Sequence, residues 1–322
     1  MADFDVFNGD ADGICALHQL RLAEPRPATL VTGVKRDIAL LKRVVAGNGE
    51  RVTALDISLN KNHEAVLRLL AAGASVEYFD HHQADDIPLH ANLRAHIDTG
   101  AAWCTSLLVN RYLGGEHLIW AVVAAFGDNL ADAAQTAAAP LALSGAALAE
   151  LQTLGECINY NAYGDTVSDL YFDPVALYGL IHAHTDPFSF IREDRAFLIL
   201  KTGYAEDMAQ AQLTSPIHQS AVGAIYLLPD APWSRRVSGV FGNTLATGAP
   251  QYAHAVLTKK AQGGYLVSVR APLAVKAGAD VLCSQFDGGG GRKSAAGINH
   301  LPEADLERFI AAFNQVFGVA SL

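Results

Sequence analysis

Apolar residues in the first third of the chain recur with two different periods. Short runs in which they fall at every second position alternate with longer runs in which they lie three or four positions apart. The first spacing is typical of β-strands and the second of amphipathic helices. Strands are predicted at 3–7, 29–32, 51–58 and 76–79, and helices after residue 13, at 37–45 and at 61–72. This alternation indicates a parallel sheet with right-handed crossovers.

The pattern changes after residue 100. Helices are predicted at 105–113, at 118–126, which is apolar on all sides and therefore buried, and through the Ala- and Leu-rich stretch 133–162. Further on, the pattern predicts strands at 221–228, 253–258 and 265–270, and helices at 205–213, 233–245, 279–284 and 303–317. We therefore predict an α/β protein with a doubly wound parallel sheet in an N-terminal domain (1–200), a linker (201–216) and a smaller α/β domain (217–322).

Acidic residues follow three of the predicted strands. Asp10 and Asp12 follow the first strand, Asp56 lies near the end of the third, and the fourth ends in Asp80-His81-His82. Because the carboxyl ends of parallel strands share one edge of the sheet, we expect these side chains to converge there. Carboxylate oxygens and imidazole nitrogens suit zinc, manganese or iron. The sequence therefore predicts a metal site at this edge.

A further acidic residue follows the buried helix. Asp128 comes directly after this apolar stretch, where a charge is seldom left unpaired, so it is a candidate ligand and Asp132 a lesser one. Most of these positions also have ordinary explanations: Asp10-Ala-Asp12-Gly as an Asp-Gly turn with an N-cap Asp, Asp80-His81-His82 as a solvated turn, and Asp128 as a cap of a neighbouring helix. The coincidence of three acidic strand ends favours the metal site.

Charge and composition narrow the functional classes. The net charge of −10 argues against a surface that coats nucleic acid. Residues 1–200 hold 13 Lys and Arg against 25 Asp and Glu, and residues 201–322 hold 10 against 8, so the first part favours cations and the second could face an anion. No apolar run is long enough to span a membrane, and the four scattered cysteines indicate reduced thiols in a cytoplasmic protein.

A glycine run near the end of the chain is a candidate anion site. Gly288, Gly289, Gly290 and Gly291 precede Arg292 and Lys293. Glycine lets backbone amides approach an anion closely, and the two basic side chains add positive charge. A flexible linker is the alternative, although the packing residues that follow at once argue against it. Arg270, at the end of a predicted strand, is a second candidate phosphate contact.

In this order, the motifs resemble those of the DHH phosphoesterase superfamily, in the branch with a C-terminal DHHA1 domain that includes RecJ-like and oligoribonuclease-like enzymes. The resemblance covers nearly the whole chain and rests on the following residues: Asp10-Ala-Asp12-Gly, Asp56, Asp80-His81-His82, Asp128, Gly288-Gly-Gly-Gly-Arg292 and Ala295-Ala-Gly297. The ordered combination is specific, although each motif alone is common.

The resemblance implies two Mn²⁺ ions, with Mg²⁺ or Co²⁺ as alternatives, and a hydroxide that attacks phosphorus in line. One ion would be held by Asp12, Asp56, His81 and Asp128. The other would be held or supported by Asp10, Asp56 and Asp80, and His82 would orient the substrate phosphate.

Two positions depart from the family pattern. Val6 stands where many relatives have a histidine four residues before the first Asp. One ion is then short of a ligand, or Asn8 or a water molecule completes its shell. Arg292 stands where many DHHA1 domains have a histidine; arginine still suits phosphate through bidentate hydrogen bonds.

We expect a Mn²⁺-dependent hydrolase of phosphodiester or phosphomonoester bonds in short nucleotides: oligoribonucleotides or other short single strands, dinucleotides or nucleoside bisphosphates. An exopolyphosphatase or pyrophosphatase is the first alternative, and a non-catalytic nucleotide-binding protein the second. Exonuclease activity on long DNA is disfavoured, because no long basic stripe is present to track a strand. The one protein partner that we expect is a second copy of the chain, in a homodimer.

Overall fold

The structure is a computed structural model, and it describes residues 2–319. The chain divides into two compact units, Met1–Gly203 and Tyr204–Leu322. The division falls inside one helix, Arg195–Gln212. Both units combine helices with a β-sheet, which confirms the predicted α/β class.

The sheet of the first unit has five parallel strands. They are β1 (Asp3–Phe7), β2 (Thr29–Val31), β3 (Arg51–Leu55), β4 (Ser75–Asp80) and β5 (Leu93–Ile97), in the spatial order β2-β1-β3-β4-β5. The parallel pairing predicted from the alternation of strands and helices is confirmed. All carboxyl ends therefore lie on one edge.

Neighbouring residues of each central strand point to opposite faces of the sheet, and both faces are covered. Phe7, Leu55 and Phe79 belong to one buried cluster. Their predecessors Val6, Ala54 and Tyr78 belong to the other. Burial on both faces is what makes the parallel strands nearly continuous apolar runs.

Nine helices are described in the chain up to residue 212: α1 (Ala11–Ala23), α2 (Leu59–Ala71), α3 (Thr105–Tyr112), α4 (Leu118–Gly127), α5 (Ala131–Ala138), α6 (Gly145–Asn161), α7 (Pro174–His182), α8 (Pro187–Glu193) and α9 (Arg195–Gln212). Helix α4 is buried from Trp120 to Gly127, as its uniform apolarity predicts. A β-carbon on Gly155 of α6 would lie 2.2 Å from the Val123 carbonyl oxygen of α4, so glycine permits the close approach of these helices.

A buried ion pair joins α1 to the sheet beneath it. Both Arg21 and Asp5 are almost fully buried. The Nε and Nη2 atoms of Arg21 donate to the two carboxylate oxygens of Asp5, and Nη2 also donates to Thr53 Oγ1. The paired, planar geometry satisfies both charges where water cannot.

His18 of α1 is fully buried among other aromatic rings. Its Nδ1 atom lies 3.0 Å from Nδ1 of His182, and its ring packs edge-on against Trp120. Burial, and then the neighbouring His182 and His117, lower the pKa of His18 to about 3, although a backbone hydrogen bond with His184 acts in the opposite direction. His18 is therefore neutral in the folded protein at every pH near neutrality.

Lowering the pH from 7 to 5 should reduce the free energy of unfolding by about 2 kcal/mol through His18 alone. The folded state keeps this imidazole neutral, whereas the unfolded chain binds a proton below its ordinary pKa. The contribution of His18 to the free energy of unfolding is therefore complete above the pKa of histidine in the unfolded chain. It is lost as the pH falls towards about 3. Urea unfolding of wild type and His18→Gln at both pH values measures it.

The exposed His90 provides the matched control. His90→Gln should reproduce the wild-type difference between pH 7 and pH 5, whereas His18→Gln should show a difference smaller by about 2 kcal/mol. Equal differences in all three proteins would contradict the assignment.

The second unit has a mixed sheet of six strands: β6 (Pro216–Ser220), β7 (Gly223–Leu228), β8 (Ala253–Lys259), β9 (Tyr265–Arg270), β10 (Gly289–Gly291) and β11 (Ala295–Leu301), in the order β10-β11-β9-β8-β7-β6. Among these described strands, only β7 and β8 pair in parallel. Its helices are α10 (Pro232–Gly248), α11 (Ala279–Cys283) and α12 (Leu306–Val319). Phe309 and Phe313 of α12 pack into the core of this sheet.

Some predicted elements differ from the observed ones. The helix predicted at 37–45 is only a short 3₁₀ turn, Leu40–Arg43. The side chain of Asn62 accepts from the Leu41 amide and donates to the Ile38 carbonyl, taking up groups that a helix would pair internally. Strands β5, β6 and β10 are not among the predicted elements. No helix within residues 2–319 is long and apolar enough to cross a membrane.

Candidate metal centre

Three strand ends and one helix end supply the candidate ligands. Asp10 and Asp12 follow β1, Asp56 follows β3, and His81 follows β4. Asp128 caps the carboxyl end of α4.

His81 stands among three carboxylates. Its Nε2 atom lies close to one oxygen of each: 3.4 Å from Asp56, 3.7 Å from Asp128 and 3.9 Å from Asp12. Within the described residues, Asp12, His81 and Asp128 form one group whose ligand atoms could share an ion, and Asp56, His81 and His82 form another. Such separations are close to the ~3–3.5 Å between neighbouring ligands of an ion with bonds of ~2.1 Å.

The negative charges of these buried carboxylates are unfavourable unless a cation lies nearby. Burial, followed by the charges of Asp10, Asp12 and Asp128, raises the pKa of Asp56 well above its usual range. Burial also raises the pKa of Asp128. Buried carboxylates that repel each other are relieved when a divalent ion lies between them. Each of the two groups therefore offers carboxylate and imidazole ligands suited to a divalent ion of the Mn²⁺ or Zn²⁺ type, and the two groups share His81.

Asp12 is anchored before any ion binds. Its two oxygens accept hydrogen bonds from the amides of Thr105 and Ser106, both at 2.7 Å, and so cap α3 from outside the helix. The Ser106 hydroxyl in turn donates to the Asp12 carbonyl. These hydrogen bonds satisfy free amides at the N-terminus of α3 and fix the orientation of the Asp12 side chain.

Asp56 occupies an unusual backbone conformation. Its φ angle is +57°, in the left-handed region that most side chains avoid. The Thr105 hydroxyl donates to its Oδ1 atom at 3.2 Å, and its own amide donates to Phe79 on the neighbouring strand. Strained non-glycine residues of this kind occur mainly at functional sites.

Asp10 is the N-cap of α1 and the partner of a lysine. Its Oδ1 atom accepts from the amides of Asp12 and Gly13. Its Oδ2 atom accepts from Lys35 Nζ at 2.5 Å. Burial alone would raise the pKa of Asp10, but the charge of Lys35 and the hydrogen bonds from Lys35, Gly13 and Asp56 together lower it.

Lys35 is the site residue that sequence reasoning missed. Besides Asp10, its ammonium lies 3.4 Å from Asp128 Oδ1 and 3.0 Å from Asn159 Oδ1. Although burial acts against the charge, the nearby Asp10 raises the pKa of Lys35 well above its usual range. A single lysine in the loop after β2 belongs to no motif, so nothing in the sequence signals this placement.

Asp80 and His82 form a pair beside this group. Asp80 Oδ2 accepts from the Leu59 amide at the start of α2, and its Oδ1 contacts both the amide and the Nδ1 atom of His82. Burial would lower the pKa of His82, but the hydrogen bond to Asp80 together with the charges of Asp80, Asp10 and Asp12 raises it. Asp80 thus holds a partly exposed imidazole, 4.0 Å from Asp56, in a fixed orientation.

The position of the missing family histidine is apolar and closed. Val6 is fully buried in the cluster that includes Val52 and Tyr78. Asn8, also buried, donates from Nδ2 to the Lys35 carbonyl at 3.5 Å, while its Oδ1 has no hydrogen-bond partner among the described residues.

The glycine run of the second unit forms an edge strand. Gly289–Gly291 pair with β11, and Arg292 and Lys293 lie exposed in the tight turn between the strands. The amide of Gly289 donates to Phe286 and that of Arg292 to Ala295. Gly288 and Gly291 have positive φ angles, which explains the glycines at these two positions.

Arg270 is tied to its own unit. Its guanidinium donates to Asn243 Oδ1 at 2.6 Å, to Ser268 Oγ at 2.9 Å and to the Gly239 carbonyl at 3.1 Å. A phosphate at Arg270 would have to share these donors.

No family model and no curated protein matches the chain. Solved structures do match. RecJ from Thermus thermophilus, in complex with Mn²⁺, has a TM-score of 0.55 at 16% identity; the match covers 99% of this chain and 52% of RecJ, so the chain spans about half the length of that relative.

Two further neighbours match over most of both chains. The pGpG-specific phosphodiesterase PggH from Vibrio cholerae has a TM-score of 0.56 at 13% identity, covering 99% of each chain. CDC45 from Entamoeba histolytica has a TM-score of 0.55 at 8% identity, covering 98% of this chain and 95% of CDC45. These likenesses extend through both units and show that the chain has the fold shared by RecJ, PggH and CDC45.

Proposed function

We propose that the chain is a divalent-metal-dependent phosphoesterase that hydrolyses short nucleotide substrates, with Mn²⁺ as the preferred ion. The observation that carries the proposal is the position of His81 Nε2, within 3.9 Å of one oxygen of each of three carboxylates from three different elements. Two of these carboxyls have pKa values raised by burial. Such a set is unfavourable without a cation and favourable with one.

The ion would be held by Asp12, Asp56, His81 and Asp128. Bound there, a divalent ion supplies charge for the phosphoryl oxygens and lowers the pKa of water to yield a nucleophile. The amides at the N-terminus of α3 keep the Asp12 side chain in place. His82, whose pKa is raised by Asp80, presents a partly exposed donor suited to a substrate phosphate.

The choice of substrate class draws on the neighbours. One is a phosphodiesterase specific for pGpG and others are RecJ proteins, one of them described as an exonuclease. In this chain the exposed Arg292 and Lys293 offer side-chain contacts to a phosphate. The backbone amides of Gly289 and Arg292 are already engaged, so we assign anion binding to the side chains of this turn. A linear dinucleotide or a short oligoribonucleotide fits these features.

A product assay across substrates tests the proposal. With Mn²⁺ present, we expect turnover of a linear dinucleotide or a two- to five-residue RNA to exceed that of polyphosphate by about tenfold or more, and chelation of the metal to abolish it. Preference for polyphosphate would instead indicate a phosphoanhydride hydrolase. Nucleotide binding without turnover of any substrate would indicate a non-catalytic protein, and either result would refute the proposed activity.

A further inference from the structure

We propose that the ammonium group of Lys35 permanently occupies the position of a second cation, so that the centre takes one divalent ion rather than two. The inference rests on the proposed function, because it assumes that the neighbouring carboxylates hold an ion at all. It concerns the number of ions bound and can fail while the proposed activity stands.

Three acceptors surround the ammonium group of Lys35. The ammonium is shared between two carboxylates, Asp10 and Asp128, at 2.5 and 3.4 Å. Its third partner is the neutral amide oxygen of Asn159, at 3.0 Å. Because the Asn159 oxygen carries no charge, attraction between opposite charges does not explain this contact. The oxygen is a hydrogen-bond acceptor placed to receive the ammonium group. About three quarters of the side chain is withdrawn from water.

The backbone around Lys35 is also fixed. Its amide donates to the Ala162 carbonyl at 2.9 Å, and its carbonyl accepts from Asn8. Ala162 directly follows α6, the helix that carries Asn159. The loop and the acceptor are therefore held by the same element, which places the ammonium between Asp10 and Asp128 without requiring an ion.

The carboxylate oxygens that could bind a second ion already accept hydrogen bonds. Both oxygens of Asp10 accept hydrogen bonds, from two amides and from Lys35. Both oxygens of Asp80 accept as well, from Leu59 and from His82. The nearby position 6 offers a valine side chain buried in the core. A second ion between Asp10 and Asp128 would have to displace the ammonium of Lys35.

The charges agree with one ion. Asp10, Asp12, Asp56 and Asp128 supply four carboxyl groups, which a divalent ion and an ammonium neutralise to within one charge. Asp10 faces Lys35, while Asp12 and Asp56 face His81. Asp128 contacts both, with Oδ1 towards Lys35 and Oδ2 towards His81. The ammonium of Lys35 thus fills the cation position between Asp10 and Asp128, beside the candidate ligands around His81.

Metal counting on the purified full chain tests this inference. After removal of metal, the protein is titrated with Mn²⁺ by equilibrium dialysis, and bound metal is measured directly. Electron paramagnetic resonance of the same samples distinguishes an isolated Mn²⁺ from a spin-coupled pair, because two ions sharing ligands lie ~3.5–4 Å apart. Wild type should bind one equivalent and give the spectrum of an isolated ion.

Variants at Lys35 separate charge from structure. Lys35→Met removes the ammonium while keeping the length of the side chain, and should bind a second equivalent with a coupled spectrum. Lys35→Arg keeps the charge and should still bind one. Lys42→Met, at an exposed lysine, is the matched control and should behave as wild type. Thermal unfolding in Mn²⁺ checks that each variant is folded.

Three outcomes are decisive. Two coupled ions in wild type would overturn the inference and leave the proposed phosphoesterase intact. A single ion in both wild type and folded Lys35→Met would show that the lysine is not what excludes the second ion. No metal in wild type would refute the proposed function itself, and this inference with it.

Discussion

Replacing Asp56 with asparagine should lower kcat/KM for the best nucleotide substrate by about 10³-fold or more, measured at saturating Mn²⁺. Asp56 is the carboxylate nearest to His81 and shares its Oδ1 atom with the Thr105 hydroxyl. Asparagine keeps the shape of the side chain but removes the negative charge that attracts the ion. The loss should appear in Mn²⁺ affinity as well as in turnover.

The same variant should be more stable than wild type when metal is absent. The pKa of Asp56 is raised by burial and by its acidic neighbours, so the folded state holds a proton at pH values where the unfolded chain has released it. The free energy of unfolding of metal-free wild type should therefore fall as the pH rises above the ordinary carboxyl range. Asp56→Asn removes this dependence, and asparagine tolerates the positive φ angle well.

The exposed Asp132, at the start of α5, provides the matched control. Asp132→Asn makes the same chemical change close in sequence to Asp128 and should alter kcat/KM by less than about twofold. Unchanged activity in Asp56→Asn would remove this residue from the catalytic centre, and equal losses in both variants would point to a general effect of charge.

Arg21→Met should lower the free energy of unfolding by about 3–5 kcal/mol. The substitution leaves the Asp5 carboxylate buried beneath α1 without the guanidinium that pairs both of its oxygens. An uncompensated charge in this position costs far more than the packing lost from the side chain. Urea denaturation at pH 7 measures the change.

A second strand-linked ion pair offers a direct comparison. Arg51 pairs with Asp3 at 2.8 Å, but the arginine side chain is 59% exposed. Arg51→Met should therefore cost no more than about 1 kcal/mol. Removing both buried charges, in Arg21→Met with Asp5→Leu, should recover part of the loss. Similar costs for the two arginine variants would contradict the role assigned to burial.

The fold of the first unit could be predicted from the sequence because the strands of a sheet buried on both faces are apolar. Helices alternate with these strands along the chain, which indicates parallel pairing. Strand β1 has the bounds predicted from periodicity alone, and β3 and β4 lie within a residue or a few of theirs. Since parallel strands end on one edge, the convergence of Asp12, Asp56 and His81 could be inferred before any coordinates.

What the sequence did not reveal depends on contacts between distant segments. Strand β5 lies at the edge of the sheet and carries exposed Arg94 and Ala95, so its pattern is weak. The segment 37–45 resembles a helix until Asn62, on α2, takes its backbone groups. Lys35 joins the centre through Asn159, more than a hundred residues away, and no local pattern records such a pairing.

Some acidic motif residues both cap a helix and are candidate metal ligands, and this affects how related sequences should be judged. Asp10 caps α1, Asp12 caps α3, and Asp80 caps α2, so each stabilises a helix whether or not an ion is bound. A descendant that had lost catalysis would still be under pressure to keep them. Asp56 and His81, which cap no described helix, should be the first to change, and their loss is the better marker of an inactive homologue.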